Sequence, residues 1–242
     1  MKLKIIVLLL CAVFFSSCLS GGDEEDDEKV HDDFDAAVVC PESGTNAYGM
    51  PNRGTFVDER DSNSYRYTTI GKQVWMAQNL RYREIEKKED RDRVLNYSTE
   101  VSYCHYEEDL CTEKGRIYSY GYSKKFCPPS WHLPNGEEWS ELIQVMGGDS
   151  LASIRLKSKN GWKPLNPGDN GNGSDDCGFN VLPAITTIYG YDGYRAYFWT
   201  ETPVDHYKRF DTDEKKVFEP KYSAGSSDDL SVRCVKDSDR IH

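Results

Sequence analysis

The 242-residue sequence carries 16 tyrosines, only four methionines and a formal net charge of −11. Residues 19 to 36 hold nine acids against Lys29 alone, which leaves about −5 on residues 37 to 242. No basic face is evident, and binding to a phosphate backbone requires one, so nucleic acid is not an expected partner.

In chain order, Met1-Lys2-Leu3-Lys4 supplies two positive charges and Ile5 to Phe15 is an unbroken apolar run. As a helix that run reaches only about half of a ~30 Å hydrocarbon core, which fits the apolar region of a signal peptide over residues 1–17. Phe15-Ser16-Ser17-Cys18 sets small residues ahead of a cysteine, so cleavage before Cys18 and lipid attachment there are expected. An ordinary secretory signal with an incidental Cys18 is the competing reading. No later stretch is apolar enough to span a membrane, so the rest of the chain is expected to be soluble, and the signal-like start makes the expected location extracytoplasmic. The lipid would hold the protein to a bacterial membrane, the outer membrane or cell surface being the reading adopted. The acidic block reads as a solvated, self-repelling spacer; acidic runs at this place also resemble surface-export signals of some Gram-negative lipoproteins. Residues 18–55 are taken as the tether, 56–237 as the globular domain and 238–242 as a tail.

Six cysteines follow Cys18: Cys40, Cys104, Cys111, Cys127, Cys177 and Cys234. An even number in an exported chain predicts a disulfide framework, and the absence of any Cys-x-x-Cys pair argues against a zinc site. Composition leaves fifteen pairings open. Cys104 and Cys111 are near enough for a local loop, and Cys127 with Cys234 would tie the early domain to its last strand. Cys40 and Cys177 are then left for each other.

Ser64 to Ile70, Gly71-Lys72 and Gln73 to Ala77 read as strand, turn and strand. Residues 84 to 94 are charged throughout and read as an exposed insertion. A Tyr-rich helix is expected over Gly115 to Lys125, stopped by Cys127-Pro128-Pro129. Asn135-Gly136-Glu137-Glu138 approximates a capping box, and Trp139, Leu142, Ile143 and Met146 fall on one helical face before Gly147-Gly148. A short helical piece ending near Lys157 precedes a loop over Asn166 to Asp176. Strands are expected at Phe179 to Leu182, Thr186 to Tyr191, Tyr194 to Thr200 around Asp192-Gly193, and Leu230 to Val235. Helices and strands do not alternate, which predicts an α+β fold rather than a doubly wound sheet.

Several segments match one family: Lys72-Gln-Val-Trp-Met-Ala-Gln-Asn-Leu80, Gly115-Arg-Ile-Tyr118, Cys127-Pro-Pro-Ser-Trp-His-Leu-Pro134, Glu137-Glu-Trp-Ser-Glu-Leu142, Gly161-Trp162, Asp175-Asp-Cys-Gly-Phe-Asn-Val-Leu-Pro183, Phe198-Trp-Thr-Glu201 and Ser231-Val-Arg-Cys-Val-Lys236. In this order they resemble the Fibrobacter succinogenes major paralogous domain, over nearly all of residues 56 to 237. The family usually has Tyr where Cys177 stands, which supports Cys40 and Cys177 as an added pair. That family is similar to the broad C-type-lectin-like class that includes the formylglycine-generating enzymes. The resemblance implies two helices, a twisted antiparallel sheet and long loops. Fold does not transfer activity.

The leading functional expectation is a non-catalytic, lectin-like binding or adhesion module whose partner is a polysaccharide or another surface protein. Tyr189, Tyr191, Tyr194 and Tyr197, with Asp192 at the turn, could stack on sugar faces, while Trp199 reads as core. Calcium-dependent lectins use Glu-Pro-Asn or Gln-Pro-Asp with Trp-Asn-Asp; Leu165-Asn166-Pro167 and Phe198-Trp199-Thr200 stand here instead. No cofactor is expected, and Asp169, Asn170, Asn172, Asp175 and Asp176 are the weak calcium candidates, since Asn and Asp also simply make turns. An enzyme is the rival reading. Formylglycine-generating chemistry needs a redox-active cysteine pair, however, and all six mature cysteines can be placed in structural bridges. Glu137, Glu138 and Glu141 could form a glycosidase pair but are explained by helix capping and solvation. A structural component of a surface assembly is the third reading.

Overall fold

Alternating side chains build the centre of the molecule. The structure is a computed structural model and describes residues 33–83, 102–104, 108–184, 193–203, 206–213, 215–220 and 228–238. β1 (Arg53–Val57), β2 (Ser64–Ile70) and β3 (Gln73–Met76) pair antiparallel, and β10 (Val235–Lys236) and β6 (Trp131–His132) complete a sheet in the order β1-β2-β3-β10-β6. Every residue of β3 is buried, because successive side chains enter opposite cores: Val74 and Met76 join one apolar cluster and Trp75 the other.

The second sheet runs β4-β5-β9-β7-β8 and comprises β4 (Ser102–Tyr103), β5 (Ile117–Ser119), β9 (Asp229–Ser231), β7 (Arg195–Trp199) and β8 (Tyr207–Asp211). Its β7–β9 pairing is parallel and the others are antiparallel. β7 also feeds both cores, Ala196 and Phe198 into one, Tyr197 and Trp199 into the other. The two sheets are joined directly where the chain leaves β9 and enters β10, through Val232, Arg233 and Cys234.

Five helices lie among the described residues: α1 (Ala36–Val39), α2 (Glu108–Lys114), α3 (Tyr120–Ser123), α4 (Gly136–Val145) and α5 (Asp149–Leu156). In α4 the expected cap is complete, with the Asn135 side chain accepting from the Glu138 amide and the Glu138 carboxylate accepting from the Asn135 amide. Trp139, Leu142 and Met146 are fully buried, and such burial contributes roughly 1.5–3 kcal/mol per large apolar side chain. Gly147 and Gly148, at φ +96° and +82°, turn the chain from α4 into α5 through backbone angles that other residues rarely adopt.

Cys40–Cys177, Cys104–Cys111 and Cys127–Cys234 form three disulfides. The molecule is thus a disulfide-linked α+β fold, as expected, but four local expectations change. Gly115 to Lys125 is not one helix: Ile117–Ser119 pairs with β4 and β9, and Tyr118 is buried in the sheet while Tyr122 stays 38% exposed. Sheet pairing overrides the i, i+4 tyrosine pattern. Phe179 to Leu182 is not a strand, since Asn180 takes φ +57° and only Val181 makes an isolated bridge, to Lys157. Leu230 to Val235 divides between two sheets at the Arg233 crossover. Folded structure also begins ahead of Phe56, because Cys40 is 1% exposed, α1 precedes that residue and β1 starts at Arg53. The expected insertion at 84–94 and the strand at 186–191 lie outside the described residues.

Candidate functional site

The crossover between the sheets carries the most unusual side chain in the molecule. Val232 accepts from the Leu80 amide at 2.9 Å, Cys234 accepts from the Met76 amide at 3.0 Å, and Cys234 is bonded to Cys127. With Val232 and Cys234 turned into one core, the intervening Arg233 is directed the opposite way. Its guanidinium lies 4.7 Å from the Phe179 ring and 5.3 Å from that of Phe198. It donates through Nε to Asn79 Oδ1 at 3.1 Å and through Nη2 to Asn180 O at 3.3 Å, with close contacts to Asn79 Oδ1 and Phe179 O as well.

Arg233 is 1% exposed and has no ion-pair partner among the described residues. Burial pulls its pKa down to about 9, with Asp175 opposing the fall and Arg66 adding to it. It therefore stays a cation at neutral pH. Oxygen atoms without full charge satisfy its N–H groups, which makes the desolvation tolerable and leaves Asp175 to act on the charge from beyond ion-pair distance.

The neighbouring loop is folded to supply those oxygens. Asp175 and Asn180 both occupy the left-handed region, at φ +45° and +57°, and Asp175 Oδ1 accepts from the Asn180 amide at 2.7 Å. Burial pushes the Asp175 carboxyl up, with the Asn180 hydrogen bond and Arg233 opposing the rise. On the other side, Asn79 is held by its own amide donating to Lys114 O at 2.8 Å. Gly115 makes that possible, since a β-carbon there would stand 2.4 Å from Asn79 Cβ.

Above Arg233 opens a cleft of about 430 Å³. Its lining includes Ser158, Lys159 and Asn160 after α5, Arg66 of β2, Gln78, and Glu113 of α2. The side chains of Arg66, Lys159, Asn160 and Asn180 make no hydrogen bond or ion pair with other described residues. The cleft thus presents three cations against the carboxyls of Glu113 and Asp175, together with free amides. A wider groove of about 1050 Å³ runs between α4 and β8 past Tyr207 and Phe218. There Lys208 is paired with Glu219 at 2.6 Å and Arg209 with Asp211 at 2.6 Å. The narrower cleft is the better candidate because its charges are not already matched.

The sequence-based candidates are distributed differently. Tyr189, Tyr191 and Asp192 lie outside the described residues. Tyr194 is half-buried, with Lys163 Nζ 5.8 Å from its ring. Tyr197 is 3% exposed and packs on Tyr207 at 5.5 Å, so it belongs to the core rather than to a sugar-stacking surface. Trp199 is core as expected, its Nε1 donating to Tyr118 O at 2.6 Å. In the acidic loop, Asp169 accepts from Asn166, Asn170 from the Asn172 amide, Asn172 from the Trp162 amide, and Asp176 faces Arg155 at 3.6 Å. Their oxygens are engaged separately, and no three His, Cys, Asp or Glu side chains gather to hold a metal among the described residues.

Glu138 does more than cap its helix. Its Oε1 lies 2.8 Å from His132 Nε2, and His132 Nδ1 lies 2.7 Å from Asp237 Oδ1. Burial lowers the imidazole pKa, but its hydrogen bonds to the Glu138 and Asp237 carboxylates outweigh that and raise the value to about 9. Glu141 reaches Gln73 Nε2 at 3.3 Å.

Fold and site define a disulfide-linked α+β domain of two sheets, with a polar cleft at the strand crossover that joins them. The family model for the Fibrobacter succinogenes major domain matches residues 68–236, and the chain belongs to that family. No curated protein and no solved structure matches the chain.

Proposed function

We propose that this protein is an exported, lipid-anchored, non-catalytic binding module of the bacterial cell surface, lectin-like in its role and directed at a polysaccharide. The observation that carries the reading is the crossover cleft, where unengaged amide and cationic donors of Asn160, Asn180, Lys159 and Arg66 stand over a floor fixed by sheet hydrogen bonds and the Cys127–Cys234 bridge. Donors without a partner in the protein suit hydroxyl-rich ligands, since binding breaks no internal hydrogen bond. Three disulfides support an oxidising compartment, and the signal-like start with Cys18 supports a lipid tether. Pairing of all six described cysteines supports binding over formylglycine-generating chemistry, which requires an available thiol. Kinship with the C-type-lectin-like class rests on the sequence resemblance and fits the same reading. No cofactor enters the proposal.

Two measurements test it. Protease added to intact cells should remove the domain, and the detergent-extracted protein should be retained on at least one member of a panel of immobilised neutral and acidic polysaccharides. Protection on intact cells overturns the surface location. Failure to be retained on any polysaccharide overturns the lectin-like role and favours a structural component of a surface assembly.

A further inference from the structure

Resting on the binding-module reading, we infer that the crossover cleft takes a carboxylate-bearing saccharide, an acidic sugar unit, with Arg66 and Lys159 contacting the carboxylate above the buried charge of Arg233. The charge of residues 37 to 242 is about −5, yet this cleft holds three cations against Glu113 and Asp175. A local reversal of sign within an acidic molecule concentrates anions where the rest of the surface repels them.

The three cations differ in role. Arg233 is locked by Asn79, Phe179 and Asn180 and lies beneath the cleft, so it acts as a fixed positive potential in surroundings that screen it poorly. Arg66 and Lys159 are exposed and unpaired, and they are free to close on an arriving anion. Arg233 feels the Asp175 carboxyl but makes no direct ion pair with it, and a carboxylate arriving with the ligand would add to that counter-charge.

The remaining lining selects a sugar acid over a bare inorganic anion. Asn160 and Asn180 offer whole amide groups, and Gln78 the amide nitrogen left when its oxygen accepts from the Arg66 amide, around a volume at the small end of the roughly 300–1,000 Å³ found for ligand sites. Amide groups both donate and accept, which matches the paired donor and acceptor character of sugar hydroxyls. Among the described residues the lining of this cleft is polar and charged apart from Leu182, so the recognition these residues offer is by hydrogen bonds and charge.

The test uses the detergent-extracted full-length protein with polygalacturonate, alginate and hyaluronate, each beside its carboxyl-reduced neutral counterpart. Variants are Arg66→Gln and Lys159→Gln, singly and together, and Glu113→Gln; all three positions are exposed, so the fold should persist, and far-ultraviolet circular dichroism checks that it does. At least one acidic polymer should bind, its neutral counterpart roughly ten-fold or more weaker, because a charge-assisted hydrogen bond is worth about 1.5–3 kcal/mol. The double variant should lose a similar factor and most of the salt dependence, while Glu113→Gln should strengthen binding by up to roughly five-fold. Equal binding of acidic and neutral forms, or an acidic polymer held equally well by the double variant, overturns the inference while leaving a polysaccharide-binding module in place. Failure of every polymer, neutral ones included, overturns both.

Discussion

At the scale of single residues, two cations are handled in opposite ways. Arg233 keeps its charge without a carboxylate partner, its N–H groups satisfied by Asn79 and by backbone oxygens. His132 is placed between two carboxylates, Glu138 and Asp237, which hold its pKa near 9 against an ordinary 6.5. Because the folded state favours the imidazolium, its stabilising contribution is complete below about pH 6.5 and is lost as pH rises through about 9. Urea unfolding of the wild type and of His132→Gln should therefore differ most at pH 6 and converge by pH 10. A gap that stays constant across that range would show that the imidazolium is not what Glu138 and Asp237 stabilise.

At the scale of elements, the start of α4 is the point where several interactions share one side chain. Asn135→Ala removes a single cap acceptor and should lower stability by about 1 kcal/mol. Glu138→Ala removes the reciprocal bond to the Asn135 amide and also frees His132, so its loss should exceed that of Asn135→Ala at pH 7 and approach it at pH 10. Chemical denaturation at the two pH values checks the order, and equal losses at pH 7 would contradict the shared role. This helix was legible in the sequence because its cap and its Trp139, Leu142, Ile143 and Met146 stripe are local features with a helical period. Gly115 to Lys125 was not, because Tyr118 and Tyr122 satisfy the same spacing while the identity of β5 depends on β9, more than a hundred residues later.

At the scale of the molecule, long-range covalent links join parts of the chain that local structure does not. Cys40–Cys177 spans 137 residues and Cys127–Cys234 spans 107, whereas Cys104–Cys111 spans 7. The chain-entropy model assigns about 5 kcal/mol to each long link and about 2.5 kcal/mol to the short one. Paired Cys→Ala variants should follow that order in thermal unfolding, and a short-loop variant as damaging as the long-loop ones would show that strain or packing, not chain entropy, governs. The Cys40 link also carries residues before Phe56 into the folded unit, where sequence alone gave a tether.

What the amino-acid order determined by itself is whatever is encoded over a few residues or by number and kind: the charge asymmetry, the β2–β3 hairpin, the α4 cap and stripe, and the even cysteine set. The α+β class followed from the same local and compositional signals, whereas composition left fifteen cysteine pairings open and the folded chain selects three bridges. Only the tertiary structure decided that Leu230 to Val235 serves two sheets, that Tyr197 is core, and that Arg233 is a buried charge under a polar cleft. Arginine in a sequence reads as surface, because burying it requires specific oxygens, and here Asn79, Phe179 and Asn180 bring them from distant positions. The site depends on which residues meet, and that is settled by packing across the whole chain rather than by any segment of it.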